Sequence, residues 1–416
     1  MKIAINFQHI DPARGGAETY VADLCRGLVA RGCRVEVYAE SCAEGALPAG
    51  ARHVRVESKG ATRGGRIMSF ARRSAAVLEG AEHDCVVGLI NTWRQDVLIP
   101  QGGVRAASLE ANARRFATPA GRALYRLGKR IQPKFGLYRA IEERQYDLAR
   151  ETTYVAVSAM VKRDIERFHN VPGRRIQVVP NAIDAGRLAV PQPAATRCAL
   201  RNRLGLEPSD LVALFVGHNF ALKGLSPLLR ALALRRERNP GSRPIRLLVC
   251  GGGKSGPFRS LAARLGLGDS IRWVGFLPEI REAYWASDFF VSPTYYDPCS
   301  LVVFEALACG LPVVTTACNG AGELIAQGRE GFVATSPDAL VELSQAFEHL
   351  ADDGARALMS RRATELGRAQ SFDRHVDRML RVFEDAAAQR ARGPRPAASK
   401  PHLGTNKKSR KSLFQS

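Results

Sequence analysis

Short apolar runs alternate along the whole chain with longer segments whose apolar residues recur on one helical face. That alternation predicts strands separated by amphipathic helices, and hence parallel sheets covered by helices on both faces. In the first half, Lys2 to Phe7 reads as a strand, Ala17 to Arg31 as a helix and Cys33 to Ala39 as the next strand. Val21, Leu24, Cys25 and Leu28 share one stripe of that helix, and Gly32 follows as a stop. Further strands are expected at Cys85 to Ile90, Tyr154 to Ser158 and Ile176 to Val179.

The same alternation starts again at Leu211 to Val216 and continues through Arg246 to Cys250, Ile271 to Val274, Phe289 to Ser292, Pro312 to Thr316 and Gly331 to Ala334. Two doubly wound α/β domains follow, and 416 residues suit two cores better than one. Between Asn181 and Arg197, Pro191, Pro193 and small residues interrupt both periods, which places the boundary there. The chain divides into 1–188, 189–371, a final amphipathic helix within 372–388 and a basic tail, 389–416. With eight basic residues, no acidic one and three prolines, that tail is expected to be disordered.

The densest chemistry lies in Asp297-Pro298-Cys299-Ser300-Leu301-Val302-Val303-Phe304-Glu305-Ala306-Leu307-Ala308-Cys309-Gly310-Leu311-Pro312. Ser300 is a suitable N-cap, Leu301 to Cys309 carry helix formers, Gly310 fits the position past the helix end and Pro312 prevents continuation. Asp297 then sits in the loop ahead of a helix and Glu305 inside it. The unpaired amides of the first turn and the helix dipole favour an anionic or oxygen-rich ligand between them.

This segment resembles the E-x7-E motif of the retaining, sugar-nucleotide-dependent glycosyltransferases of the family-4 type, with Asp297 in the first acidic place. The resemblance implies a GT-B fold, in which two Rossmann-like domains face a central cleft. Residues 1–188 would bind the acceptor and 189–371 the nucleotide sugar, and the last helix would cross back onto the first domain. Asp297 would contact the transferred sugar, Glu305 the ribose hydroxyls, and the backbone of Cys299, Ser300 and Leu301 would cradle sugar and phosphate. Val179-Pro180-Asn181-Ala182-Ile183-Asp184 resembles the family's V-P-N-G-V-D linker entry. The overall pattern is most similar to enzymes that glycosylate the lipopolysaccharide core.

Two glycine loops join this set. Gly15-Gly16-Ala17-Glu18 follows the first strand and opens the first helix, so the backbone can approach a ligand at the carboxyl edge of the sheet. Its spacing is not the dinucleotide fingerprint, which removes the main support for a dehydrogenase. Val216-Gly217-His218-Asn219-Phe220-Ala221-Leu222-Lys223-Gly224 is the equivalent entry of the second half. Lys223 is placed to neutralise the charge growing on a leaving diphosphate, and His218 is a further donor-site candidate.

Cys250-Gly251-Gly252-Gly253-Lys254-Ser255 has the Gly-Lys-Ser of a P-loop, but Leu248 stands where that motif needs its first glycine. The resemblance instead sets Gly252 beside the nucleotide and Leu277, in Gly275-Phe276-Leu277-Pro278, beside the base. Asn91 to Asp96 and Gln101 to Gly103 follow a first-domain strand and should receive the acceptor, with Asp96 expected to orient its hydroxyl. Gly320-Ala321-Gly322-Glu323 matches the family's small-residue turn and reads as structural. No D-x-D and no His/Cys cluster with ligand spacing occurs, so no metal and no cofactor are expected.

The net charge of +21 modifies this picture only locally, because 50 of the 61 basic residues are Arg, as a GC-rich genome would give. Residues 105–150 concentrate eleven basic against four acidic residues, interleaved with Leu124, Leu127 and Ile131, and such a basic amphipathic stretch suits an anionic membrane surface. The nine cysteines are scattered without a C-x-x-C pair, which favours buried thiols over disulfides or zinc. No secretory signal and no run of spanning length is visible, so a cytoplasmic, membrane-peripheral protein is expected. The expected activity is retaining transfer of a hexose, first of all glucose from UDP-glucose, to a hydroxyl of a glycan or glycolipid such as lipopolysaccharide core. The alternatives are a GT-B sugar-nucleotide epimerase, which turns over donor without acceptor, and a basic nucleic-acid-binding protein, for which no recognition motif accompanies the charge.

Overall fold

A computed structural model describes residues 1–188, 193–277 and 279–392. The first domain runs β1 (Lys2–Asn6), β2 (His9–Ile10), α1 (Gly16–Ala30), β3 (Arg34–Ala39), β4 (Ser41–Cys42), β5 (Ala51–Arg55), α2 (Arg63–Glu79), β6 (Cys85–Gly88) and β7 (Val97–Leu98). It continues through α3 (Arg105–Arg114), α4 (Pro119–Arg130), α5 (Pro133–Gln145), β8 (Thr153–Ala156), α6 (Ala159–His169) and β9 (Ile176–Val178). Its seven-stranded sheet has the order β5-β3-β1-β6-β7-β8-β9 and is parallel throughout. Strands β2 and β4 form a separate short parallel pair.

The second domain contains α7 (Pro193–Arg203), β10 (Leu211–Val216), α8 (Leu225–Arg238), β11 (Ile245–Cys250), α9 (Gly256–Arg264), β12 (Ile271–Gly275), α10 (Arg281–Ala286) and β13 (Phe289–Ser292). Next come α11 (Leu301–Ala308), β14 (Val313–Thr316), β15 (Gly331–Ala334), α12 (Leu340–Ala351), α13 (Asp353–Ala369) and finally α14 (Phe372–Ala391). The sheet order is β12-β11-β10-β13-β14-β15, again parallel. Helices cover both faces, so β10 is apolar along its length, with Leu211 through Phe215 fully buried.

Both sheets reverse their winding direction beside the first strand, between β1 and β6 and between β10 and β13. At such a reversal the two adjoining connections leave on opposite faces and open a crevice beyond the carboxyl ends of the strands. The loops after β1, β6, β10 and β13 therefore frame the ligand site, and they carry most of the candidate residues.

The expected strands all form, but the hydrophobic pattern gave no sign of β5 or β7. Strand β5 is an edge strand whose Arg52, His53 and Arg55 are exposed, so it lacks apolar alternation, and β7 has only two residues. Helix α14 runs past 388, where the expected helix ends, and includes the first residues assigned to a tail at 389. The rest of the expected tail, 393–416, and the linker residues 189–192 lie outside the described residues.

Helix α14 packs back onto the first domain, burying Val376, Met379, Val382 and Phe383. Its Val376 lies where a side chain on Gly27 of α1 would have to go, so these two helices touch closely because Gly27 has none. Arg31 at the end of α1 reaches Asp377, and Arg390 donates to the His83 carbonyl at 3.1 Å. The centre of the contact is His375, whose Nδ1 donates to the Pro180 carbonyl at 2.9 Å while Nε2 accepts from the Tyr20 hydroxyl at 3.0 Å.

Burial pushes His375 down to about 4, against its hydrogen bond to Pro180. An imidazole held neutral in the fold contributes stability that is complete above about pH 6.5 and is lost as pH falls toward 4. The loss is expected to reach about 3 kcal/mol, seen as a steeper acid-side fall in urea midpoint than in His375→Phe. An identical pH profile for the two proteins would refute this role.

Candidate active site

The loop leading into α11 is fixed from two sides. Within its own domain, the Asp297 amide donates to the Cys318 carbonyl at 3.0 Å, and the Asp297 carbonyl accepts from Gly320 at 2.9 Å. From the first domain and its exit, Ser158 Oγ donates to the Pro298 carbonyl at 2.8 Å and Asn181 Nδ2 to the Cys299 carbonyl at 3.0 Å. Four backbone groups of consecutive residues are thus tethered, and the mouth of α11 has little freedom left. Ser300 stands at the N-cap as its residue type predicts, but its side chain makes no capping bond. The Ser300 amide donates to Asn319 Oδ1 at 3.4 Å and the Val303 amide to the Ser300 carbonyl at 3.2 Å, so the Leu301 and Val302 amides are the ones at this mouth without a partner among the described residues.

Lys223 reaches this mouth because its own loop is clamped to the one after β13. The Leu222 carbonyl accepts from the Tyr295 amide at 2.9 Å and from Thr294 Oγ1 at 3.0 Å. Gly224 follows at φ +80°, and a side chain there would run into the Pro293 carbonyl. The result is an ion pair between Lys223 Nζ and Asp297 Oδ2, with Asp297 only 7% exposed.

Glu305 lies one turn and more along α11 and accepts a hydrogen bond from the buried Tyr284 hydroxyl at 2.6 Å. Burial raises its pKa, with the Tyr284 bond opposing. The two acids of the motif therefore have different characters: Asp297 is matched to a cation, and Glu305 to a neutral hydroxyl in a poorly solvated place.

Of the remaining donor-site candidates, the glycine turns are linked to this mouth by close contacts, Gly217 lying against Lys223. Gly16 sits so close to α11 that an added Cβ would be 3.1 Å from Leu301 Cδ1, so the Gly15-Gly16 turn meets the helix mouth across the domains. Gly251 stacks on Gly217, and His218 Nδ1 lies 3.6 Å from the position a Cβ of Gly252 would take. Leu277 is half-buried beside the exposed Phe276, just past β12. The Cys299 thiol is buried, so the contribution of this residue to the mouth is through its backbone.

Asp96 does not join this group. It precedes β7 and is level with Val86, early in β6, whereas the cleft opens beyond the far ends of those strands. Its Oδ2 accepts from the Val86 amide at 2.8 Å and from Arg390 at 3.3 Å, and its Oδ1 from Arg94 at 2.7 Å. It joins strand to strand and sheet to α14. The place next to the cleft belongs to Asn91, in a left-handed conformation at φ +61°, with its Oδ1 held by Arg105 at 2.7 Å.

Several residues that set the cleft were not visible from the sequence. Tyr296 accepts from the Val104 amide at 3.1 Å and donates to Asp164 at 2.9 Å, binding the second domain to the first. Glu323 accepts from the Ala159 and Met160 amides, both at 2.7 Å, and so caps α6 across the interface. The structural reading of the Gly320–Glu323 turn thus acquires an interdomain role. An aromatic hydroxyl beside an acidic motif and a lone Glu after a glycine turn are too common to have signalled these bonds.

Fold and site together define a glycosyltransferase of the GT-B type. A family model described as "Glycosyltransferase Family 4" matches residues 14–187, and one described as "Glycosyl transferases group 1" matches 210–353. The chain belongs to this family-4 type, one model covering each domain. It is 32% identical over 281 residues to D-inositol 3-phosphate glycosyltransferase of Salinispora arenicola, covering 64% of this chain and 61% of that protein. It is 27% identical to lipopolysaccharide glucosyltransferase WaaG of Escherichia coli K12, covering 80% of this chain and 84% of the relative. A crystal structure of WaaG superposes with a TM-score of 0.74 at 23% identity, over 92% of this chain and 99% of that one. Anabaena HepE in complex with UDP and glucose superposes at 0.66 and 18% identity, over 92% and 99%.

Lys223→Ala is expected to lower kcat by roughly 100-fold, as loss of one preorganised charge in a transfer site does. Glu305→Gln should instead act mainly on the donor, raising its KM about tenfold. Steady-state kinetics with varied donor separate the two, and an unchanged kcat in Lys223→Ala would remove Lys223 from the chemistry.

Proposed function

We propose that this enzyme transfers a hexose, first of all glucose from UDP-glucose, with retention of configuration to a hydroxyl of a glycan or glycolipid such as lipopolysaccharide core. The observation that carries the reading is the pairing of Lys223 with Asp297 at the mouth of α11, at the winding reversal of the second sheet, with the Leu301 and Val302 amides and, a turn further on, Glu305 on the same helix. In the complex, the ammonium of Lys223 turns from Asp297 to the diphosphate, and the released carboxylate accepts from the sugar hydroxyls. The first-turn amides then face the phosphate as charge develops on it. Glu305 accepts from the ribose. Lys223 and the amides supply the neutralisation, and the reaction on this reading needs neither metal nor cofactor. Among the described residues, no three metal-ligating side chains converge.

A membrane-facing acceptor is supported by α4. Leu124, Leu127 and Ile131 form a stripe with 71%, 58% and 74% exposure, flanked by the exposed Arg126 and Arg130. Apolar side chains on the outside of a helix with cations beside them suit the headgroup boundary of an anionic bilayer. Not all of the basic stretch is free for this: Arg105 stacks on Tyr138 at 4.1 Å and Arg144 on Trp93 at 4.5 Å, so both are structural. No helix among the described residues is long and apolar enough to cross a membrane. The exposed stripe of α4 with its flanking arginines supports a peripheral place, which we put on the cytoplasmic face.

A thermal-shift panel of UDP, GDP and ADP sugars tests the donor, since a ligand at 100 times its dissociation constant adds about 2.7 kcal/mol of apparent stability. The UDP sugar is expected to give the largest shift, and no response to any of them would overturn the reading. Replacing Leu124, Leu127 and Ile131 by Ser should abolish sedimentation with phosphatidylglycerol vesicles while leaving the donor response intact. Undiminished sedimentation would exclude α4 as the contact.

A further inference from the structure

The hydrogen bond from the Tyr284 hydroxyl to Glu305 Oε2, at 2.6 Å, joins two elements that are each fixed from elsewhere. Tyr284 belongs to α10, which has only 6 residues and is too short to hold a side chain in place by its own stability. Helix α7 supplies the anchorage. Arg201 Nε donates to the Ala286 carbonyl at 3.0 Å, and Arg197 Nη1 to the carbonyls of Trp285 at 2.8 Å and Ser287 at 2.7 Å. Both arginines are paired in turn with Asp288. The Tyr284 ring is fully buried, with Phe290 beside it at a centroid distance of 6.3 Å. The other end of the bond sits on α11, behind the tethered mouth.

Glu305 is the acid of the motif that has no cation. Asp297 is paired with Lys223, whereas among the described residues Glu305 takes part in no ion pair and its Oε1 has no hydrogen-bond partner. Burial disfavours the charged form of Glu305, and the Tyr284 bond acts against that. The phenol has one proton to give. Its contact with the Val302 carbonyl is 3.5 Å, far longer than the one with Glu305, so the proton is committed to the carboxylate. One carboxylate oxygen is thereby occupied, and the last torsion of Glu305, which is otherwise broad, is set for the other.

We infer that Tyr284 is a positioning residue for the donor: it holds Glu305 by Oε2 so that Oε1 meets the ribose, and the preference for a ribonucleotide over its deoxy analogue depends on the phenol as well as on the acid. The inference rests on the ribose role given to Glu305 above. A hydroxyl is recognised strongly by an ionised acceptor of fixed direction. A carboxylate that turns freely, or that takes up a proton in its buried place, gives up part of that recognition. A phenol suits the task because it steadies the carboxylate and leaves its charge in place, whereas a cation there would cancel it. Loss of the Tyr284 hydroxyl therefore acts on the ribose contact and spares the diphosphate, which Lys223 and the helix-start amides hold.

The test titrates the full chain calorimetrically with UDP and with 2′,3′-dideoxy-UDP, which lacks the ribose hydroxyls. Tyr284→Phe, which keeps the ring and loses the hydroxyl, is expected to weaken UDP about tenfold and to leave dideoxy-UDP unchanged. Glu305→Gln should remove the preference for UDP, and adding Tyr284→Phe to it should cost no further affinity, as for two groups that act as one. With varied UDP-glucose, Tyr284→Phe should raise the donor KM and keep kcat. An equal loss for both nucleotides, or a lower kcat at unchanged KM, would make Tyr284 merely structural and overturn the inference. Should Tyr284→Phe fail to fold, Glu305→Asp retains the charge but draws the carboxylate one methylene back from the phenol, and a full preference for UDP in that variant would overturn the inference equally. UDP that binds the wild-type chain, with a preference that Tyr284→Phe leaves intact, sinks this inference alone. Failure of UDP to bind the wild-type chain sinks the donor reading and the inference with it.

Discussion

The short backbone stretch from Asp297 to Ser300 is tethered to both domains at once, and the rest of the cleft takes its geometry from that double anchorage. Cys318 and Gly320 hold it from one side, Ser158 and Asn181 from the other. A helix mouth meant to receive negative charge has to keep its amides unpaired, which is costly unless the surrounding backbone is fixed and the ligand exchanges for water. The tethers perform that fixing through main-chain groups. The side chains of Asp297 and Glu305 are then available for recognition.

The interdomain contacts share a common physical form. Tyr296, Glu323, Asn181 and Ser158 each place a polar side chain against main-chain groups across the cleft. Such bonds are individually modest, and their geometry is lost when the domains separate. The α14 contact is different in kind, with Val376, Met379, Val382 and Phe383 buried. Apolar burial of this extent holds α14 to the first domain more strongly than single polar contacts hold the two sides of the cleft.

Charge is also divided. The pair of Lys223 with Asp297 is local and matched, Arg105 and Arg144 stack on aromatic rings, and Arg14, Arg63 and Arg66 line one cavity without an ion pair among the described residues. The net charge of +21 conceals this arrangement, because an arginine counted in the composition carries no information about its neighbours. The basic stretch from 105 to 150 contains both kinds, and only the folded structure separates those that brace α3 and α5 from those exposed on α4.

What the sequence determined by itself was the parallel α/β class, the central strands of both sheets and the helices α1, α11 and α14. Parallel strands covered on both faces must be apolar throughout, and a helix start needs recognisable residues before and after it, so both leave a local imprint. Lys223, Asp297 and Glu305 were singled out through the resemblance of their segments to a known motif, and the structure pairs Lys223 with Asp297 and places Glu305 further along the same helix. Edge strand β5 left no such imprint, since one of its sides meets solvent. Asp96 looked like a cleft residue because it follows a strand, yet the register of β7 on β6 carries it back along the sheet to Val86 and Arg390. Which acid faces the cleft, which hydroxyls lock the domains and which arginines lack a partner all depend on groups remote in the chain, and the tertiary structure alone decides them.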